Sequence, residues 1–216
     1  MAHRLIAAVC LVGFLVCGPA QAQEGSRFEG GLRLDVLVAD GEPANDIPTA
    51  GVFGRYRLND RWRLGLAVDH SPKFDVERPY EFLGLAGDPS AGEIDANGTS
   101  TSLLAWIERV YERPGRRLEW LWGVGGGLAN VDVEDVSGPR AGGGLYDITQ
   151  EVGTEILASL SGGLRLRLAE RWVFEAALRL DQHFTDWTVT DRVTGRTTTL
   201  DDYLVKGAHF GIVYRF

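Results

Sequence analysis

Counting back from Phe216, every second residue at the end of the chain is apolar. Tyr214, Ile212, Phe210 and Ala208 share one side, and Arg215, Gly211 and His209 lie between them. A period of two belongs to a β-strand whose faces meet different surroundings, because successive side chains point to opposite sides. The pattern recurs along most of the chain. The fold must therefore be all-β and give each strand two distinct environments.

The first residues follow another pattern. Met1-Ala2-His3-Arg4 is a short basic start, Leu5 to Val16 is apolar, and Ala20-Gln21-Ala22 is an A-x-A cleavage site. This predicts a secretory signal peptide over residues 1–22 and a single exported domain over 23–216. The apolar run is shorter than the roughly 20 residues of a spanning helix. Lipidation at Cys17 is disfavoured, because Val16 stands where a small residue is usual. Both cysteines, Cys10 and Cys17, lie in this leader, which leaves the domain without a disulfide, a Cys metal site or a Cys nucleophile. Acids outnumber Lys and Arg by 30 to 22 with no basic cluster, which argues against a nucleic-acid partner.

Alternation marks eight strands. The first, near 27–38, sets Phe28, Leu32, Leu34 and Val36 against Glu29, Arg33 and Asp35. The second, near 49–58, opposes Val52, Tyr56 and Leu58 to Arg55 and Arg57. The third, 62–70, opposes Trp62, Leu64, Leu66 and Val68 to Arg63 and Asp69. The fourth, near 101–111, leaves its register open, because either choice puts Glu108 or Arg109 on the apolar face. The fifth, 118–130, has Trp120, Trp122, Val124 and Leu128 opposite Glu119 and several glycines. The sixth, near 154–168, opposes Ile156, Leu160, Leu164 and Leu166 to Ser159, Ser161, Arg165 and Arg167. The seventh, 172–184, opposes Trp172, Phe174, Leu178 and Leu180 to Glu175, Arg179, Asp181 and His183. The eighth starts near Tyr203.

Connections alternate in length. Asn59-Asp60-Arg61, Pro114-Gly115 and Ala169-Glu170-Arg171 are short, whereas roughly 39–48, 71–100, 131–153 and 185–202 are long. Trp62, Trp120 and Trp172 follow short turns, and Tyr56 and Tyr111 precede them. With Phe216 they predict an aromatic girdle at one level.

Signal, strands, turns, girdle and terminal Phe216 together resemble the small outer-membrane β-barrel superfamily, including OmpA-type membrane domains and opacity-type surface proteins. The resemblance implies an eight-stranded antiparallel up-and-down transmembrane barrel in the bacterial outer membrane. It implies short periplasmic turns, long extracellular loops and both termini in the periplasm. It also implies that Phe210, Ile212, Tyr214 and Phe216 form the signal read by the barrel-insertion machinery, with membrane lipid and lipopolysaccharide as surroundings.

If the apolar face meets lipid, the charged face fills the lumen. An eight-stranded barrel is only wide enough for its own side chains, so the charges predict a plug held by ion pairs. The candidates are Arg33, Arg55, Arg165, Glu175, Arg179 and Asp181, with Arg165 opposite Glu175 if Leu168 faces Trp172 across its turn. Interior Gly123, Gly125, Gly127 and Gly163 are expected to make room for the arginines.

Members of the superfamily act as adhesins, stability factors, narrow channels or lipid-modifying enzymes, and fold does not choose among them. The primary expectation is a monomeric structural or adhesin-like protein with no cofactor or metal, working through its loops on a surface ligand. The alternatives are a narrow channel and a lipid A acylase or deacylase. For an enzyme, Asp181, His183 and Thr185 lie on one face, and His209 could lie across from Asp181. His70-Ser71 is a rim candidate. The loop over 71–100 carries Asp75, Glu77, Glu81, Asp88, Glu93 and Asp95, which a divalent cation could bridge to lipopolysaccharide. Gly142-Gly143-Gly144 predicts a mobile third loop.

Overall fold

The computed structural model of the protein describes residues 27–40, 47–76, 83, 96–111, 115–139 and 144–216. The leader expected over 1–22 lies outside them. In chain order the strands are β1 Phe28–Asp40, β2 Ile47–Arg57, β3 Trp62–Val76, β4 Ala96–Tyr111, β5 Leu118–Val133, β6 Val136–Pro139, β7 Leu145–Glu151, β8 Thr154–Arg167, β9 Trp172–Phe184, β10 Thr188–Asp191, β11 Arg196–Thr199 and β12 Tyr203–Arg215.

Eight of them close a barrel in the order β1-β12-β9-β8-β5-β4-β3-β2, every pairing antiparallel. Closure pairs the two ends of the chain: Glu29 faces Arg215 and Gly30 faces Tyr214. The Phe216 N–H donates to the Phe28 carbonyl at 3.2 Å. Closing the sheet removes its free edges, the one β arrangement that satisfies every backbone group inside hydrocarbon.

The short turns are built locally. Asn59 Oδ1 accepts from the Arg61 and Trp62 backbone N–H groups at 2.9 and 3.0 Å, a side-chain mimic of a turn. The shared Leu-x-acid-Arg-Trp pattern yields the same closure twice, with Leu58 N donating to Trp62 O and Leu168 N to Trp172 O.

Inside and outside are inverted relative to a water-soluble barrel. Leu178, Leu32 and Trp120 are 70%, 66% and 61% exposed on the outer face, while Arg165 is 0% and Glu175 1% exposed inside. In water such an outer band would forgo about 1.5–3 kcal/mol for each large side chain left unburied, a cost that hydrocarbon removes.

The lumen is mixed rather than wholly charged. Phe53, Ala67, Val173 and Val213 form one apolar cluster with Trp106, and Val110, Leu121 and Ala177 form another. The open register of β4 is also decided: Glu108 points inward and is 2% exposed. Arg109 lies outside, its guanidinium 5.6 Å from the Trp62 ring and 4.8 Å from that of Tyr111.

Interior glycines serve close approach of strands rather than arginine space. A Cβ at Gly163 would overlap Ala177 and the Ala176 carbonyl, and one at Gly127 the Leu103 carbonyl. At Gly125 it would meet Trp106, and at Gly123 it would touch Glu108 and Ser161.

At the long-loop end the strands continue past the band. β3 and β4 extend the third and fourth strands into the loop expected over 71–100, with an irregularity between Ser71 and Phe74. β6, β7, β10 and β11 form a second sheet, ordered β11-β10-β7-β6. Phe74, Val76, Leu83, Val131, Tyr146, Ile148, Trp187 and Val189 pack into one buried cluster with residues of the barrel mouth. The described part of the third loop pairs β6 with β7 as two antiparallel strands. Its strands gain an apolar face to bury, and Gly144 takes a φ of 95° before β7. Gly142 and Gly143, and the acids Glu77, Glu81, Asp88, Glu93 and Asp95, lie outside the described residues. Asp75 pairs with Lys73 at 3.5 Å on the surface.

Candidate functional site

The lumen charges fall into two layers. Toward the short turns, buried Arg55, Arg63 and Arg165 and partly buried Arg215 interleave with four glutamates. Arg165 reaches Glu29 at 2.6 Å and Glu175, its partner across β8 and β9, at 3.3 Å. Arg55 donates twice to Glu175, at 2.6 and 2.7 Å, and lies 3.2 Å from Glu108. Arg63 lies 3.7 Å from Glu29 and 3.8 Å from Glu108, and Arg215 lies 3.1 Å from Glu29 and from Glu119. His209 Nε2 lies 3.0 Å from Glu175 Oε1. Buried charges persist when each is paired and hydrogen-bonded, and here most have more than one counter-ion.

The second layer lies further toward the long loops. Arg33 grips Asp69 with two donors, one of them at 2.8 Å. Arg179 binds Asp35 at 2.8 Å, Asp69 at 3.3 Å and Asp181 at 2.7 Å. Two arginines thus meet three aspartates.

The trio Asp181, His183 and Thr185 is not assembled. Asp181 is committed to Arg179. His183 Nδ1 lies 2.7 Å from Glu155 Oε2, to which the Tyr203 hydroxyl also donates at 2.9 Å. Thr185 lies past the end of β9, where its Oγ1 accepts from the Trp187 N–H. The trio offered for the enzyme alternative is thus divided, because Glu155 from the neighbouring strand takes the His183 ring. His209 likewise faces Ala177, and Val205 is what faces Asp181. At the rim, His70 Nδ1 meets Thr101 Oγ1 at 3.0 Å, not Ser71. Glu155 is a charged lumen group that sequence reasoning missed, and Glu108 is one whose face it left open. The signal for Glu155 was its place two residues before Leu157, the partner of His183.

Between the aspartate layer and the second sheet lies a cavity of about 50 Å³, bordered by Asp181, Arg179, Ser71, His183, Leu157 and Trp187 among others. Among the described residues, no group of three or more His, Cys, Asp or Glu is placed to hold a metal ion.

On the outer face at the short-turn end, aromatic side chains meet in pairs. Trp62 packs on Trp122 at 5.8 Å, Trp172 on Tyr214 at 5.0 Å, and Tyr214 on Phe216 at 5.1 Å. Tyr56 packs at a tilt against Phe28, ring centroids 5.0 Å apart. Tyr111 faces Trp120 across β4 and β5, and its hydroxyl accepts from Trp122 Nε1 at 3.3 Å. Phe210 and Ile212 point outward on the same strand as Tyr214 and Phe216, and are 47% and 41% exposed.

A closed eight-stranded antiparallel barrel with a charged, filled interior and an apolar outer band has the architecture of the small outer-membrane β-barrels. Among solved structures, the chain is similar to Neisserial surface protein A (NspA) at 14% identity and a TM-score of 0.56, over 89% of this chain and 100% of that one. It is similar to the outer membrane protein OprG from Pseudomonas aeruginosa at 11% identity and a TM-score of 0.55, over 88% of this chain and 94% of that one. At these identities the likeness concerns the fold. No family model and no curated protein matches the sequence.

Proposed function

We propose that this protein resides in the bacterial outer membrane as a structural or surface-interaction protein, exported behind a leader over residues 1–22. In this reading the short turns and both chain ends face the periplasm, and the second sheet faces outward beside lipopolysaccharide. The barrel is a monomer, and Phe210, Ile212, Tyr214 and Phe216 form the signal for the insertion machinery.

The observation that carries this reading is the ion-pair network across the lumen. Arg55 on β2 and Glu175 on β9 belong to strands that are not neighbours in the barrel, so their contact crosses the interior. A lumen filled in this way supports a closed barrel over a channel. It leaves the folded loops, with their apolar core, as the surface available to a partner.

Conductance of the refolded protein in planar bilayers tests the closed state. Baseline current is the expected result, and stable, sizeable openings would favour a channel instead. Protease added to whole cells should cut within the loops, and protection of every loop would reverse the orientation. An unchanged lipid A acylation pattern on deleting the gene is expected, and a changed pattern, lost in His183→Ala, would make the protein an enzyme.

A further inference from the structure

Above the aspartate layer the lumen opens into the cavity of about 50 Å³ before the second sheet covers it. Four of its lining residues carry a buried polar atom without a hydrogen-bond partner: Asp181 Oδ1, Ser71 Oγ, Trp187 Nε1 and Arg179 Nε. Asp181, Ser71 and Trp187 are 1% exposed and Arg179 is 4% exposed. Buried polar atoms are nearly always paired in folded proteins, because leaving one unpaired forfeits its hydration. Of these four, Asp181 Oδ1 and Ser71 Oγ can accept a hydrogen bond from a guest in the void.

Charge and shape select the guest. The layer beneath holds Arg33 and Arg179 against Asp35, Asp69 and Asp181, one formal negative charge in excess. The layer nearer the short turns sets Arg55, Arg63, Arg165, Arg215 and, at 2.8 Å from Glu119, Arg167 against four glutamates, so the negative excess lies beside the cavity. Leu157, Val205 and Trp187 make much of the wall apolar. A water needs roughly 10–15 Å³ on this measure, so the void holds about three to five water-sized groups.

We propose that this cavity binds a small organic cation, a primary ammonium with a tail of two or three carbons. The ammonium donates to Asp181 Oδ1 and to Ser71 Oγ, and the tail lies against Leu157, Val205 and the Trp187 ring. The two arginines of the same layer disfavour a divalent metal ion, whereas a single charge offsets the one in excess.

The test uses the refolded full chain in detergent micelles. The Trp187 indole N–H resonance, assigned through Trp187→Phe, is followed during titration with propylammonium, and in parallel with propanol and with sodium at matched ionic strength. Propylammonium is expected to give a saturable shift that neither propanol nor sodium reproduces. Asp181→Asn is expected to weaken it by about tenfold or more, the worth of a charge-assisted hydrogen bond. An equal response to propanol, no saturable response to propylammonium, or unchanged affinity in Asp181→Asn overturns the proposal and leaves the void to water. Should Asp181→Asn fail to fold, the comparison of propylammonium with propanol on the unaltered protein decides alone.

Discussion

Arg55 and Glu175 are 120 residues apart, yet they meet through two hydrogen bonds of 2.6 and 2.7 Å across the lumen. Glu175 also receives Arg165 at 3.3 Å and His209 at 3.0 Å. One carboxylate thus ties β2, β8, β9 and β12 together. Removing it leaves Arg55 to Glu108 and Arg165 to Glu29, with the buried network one negative charge short.

Glu175→Gln should therefore destabilise the barrel by about 3–5 kcal/mol, the cost of leaving a buried charge uncompensated. Urea unfolding of refolded protein in micelles measures this. Replacing Arg55 and Glu175 together by Met should cost less than the sum of the two single changes, because the pair's desolvation is removed with its attraction. Additive losses would mean that the two do not act as a unit.

Gly65 lies opposite Trp106 across β3 and β4, and a Cβ there would overlap the indole. Trp106 is also held by its Nε1 donating to Glu108 at 3.0 Å and by packing on Phe53, so it has little freedom to give way. Gly65→Ala should cost about 1–3 kcal/mol from overpacking. Combining it with Trp106→Leu should recover part of that loss, and the same unfolding measurement reads both.

Leu178 and Arg109 both lie on the outer face but at different heights. Leu178 sits mid-strand and is 70% exposed, and Arg109 sits among Trp62 and Tyr111 near the short turns. In lipid bilayers, Leu178→Arg should cost about 2–4 kcal/mol, as for a charge near the bilayer midplane. Arg109→Ala should cost about 1 kcal/mol through the lost cation–π contacts. Equal costs would contradict the depth assigned to the two positions.

Trp187 is the largest side chain in the cluster joining the second sheet to the barrel mouth, and it is 1% exposed. Trp187→Ala should loosen that sheet by about 3–5 kcal/mol while the barrel strands stay intact. Hydrogen exchange checks this, with faster exchange expected over Leu145–Glu151 and Thr188–Asp191 and unchanged protection over Trp172–Leu180.

How much was legible follows from how local each feature is. Barrel strands of 11 to 16 residues repeat their alternation often enough to be read directly. β6, β10 and β11 have four residues each, too few for a period to register. The pairing of β7 with β10 joins segments about 40 residues apart, which no local pattern announces.

Alternation by itself determined that the strands are two-faced, that most of their charges share one face, and that a turn with Leu168 across from Trp172 brings Arg165 to Glu175. These follow from side-chain period and turn length, both properties of neighbouring residues. Only the tertiary structure decided that Glu108 turns in while Arg109 rests on the aromatic ring, that His183 takes Glu155 in place of Asp181, and that the loops fold over the mouth. Each of these depends on contacts between strands, where buried charges choose partners by geometry rather than by sequence spacing.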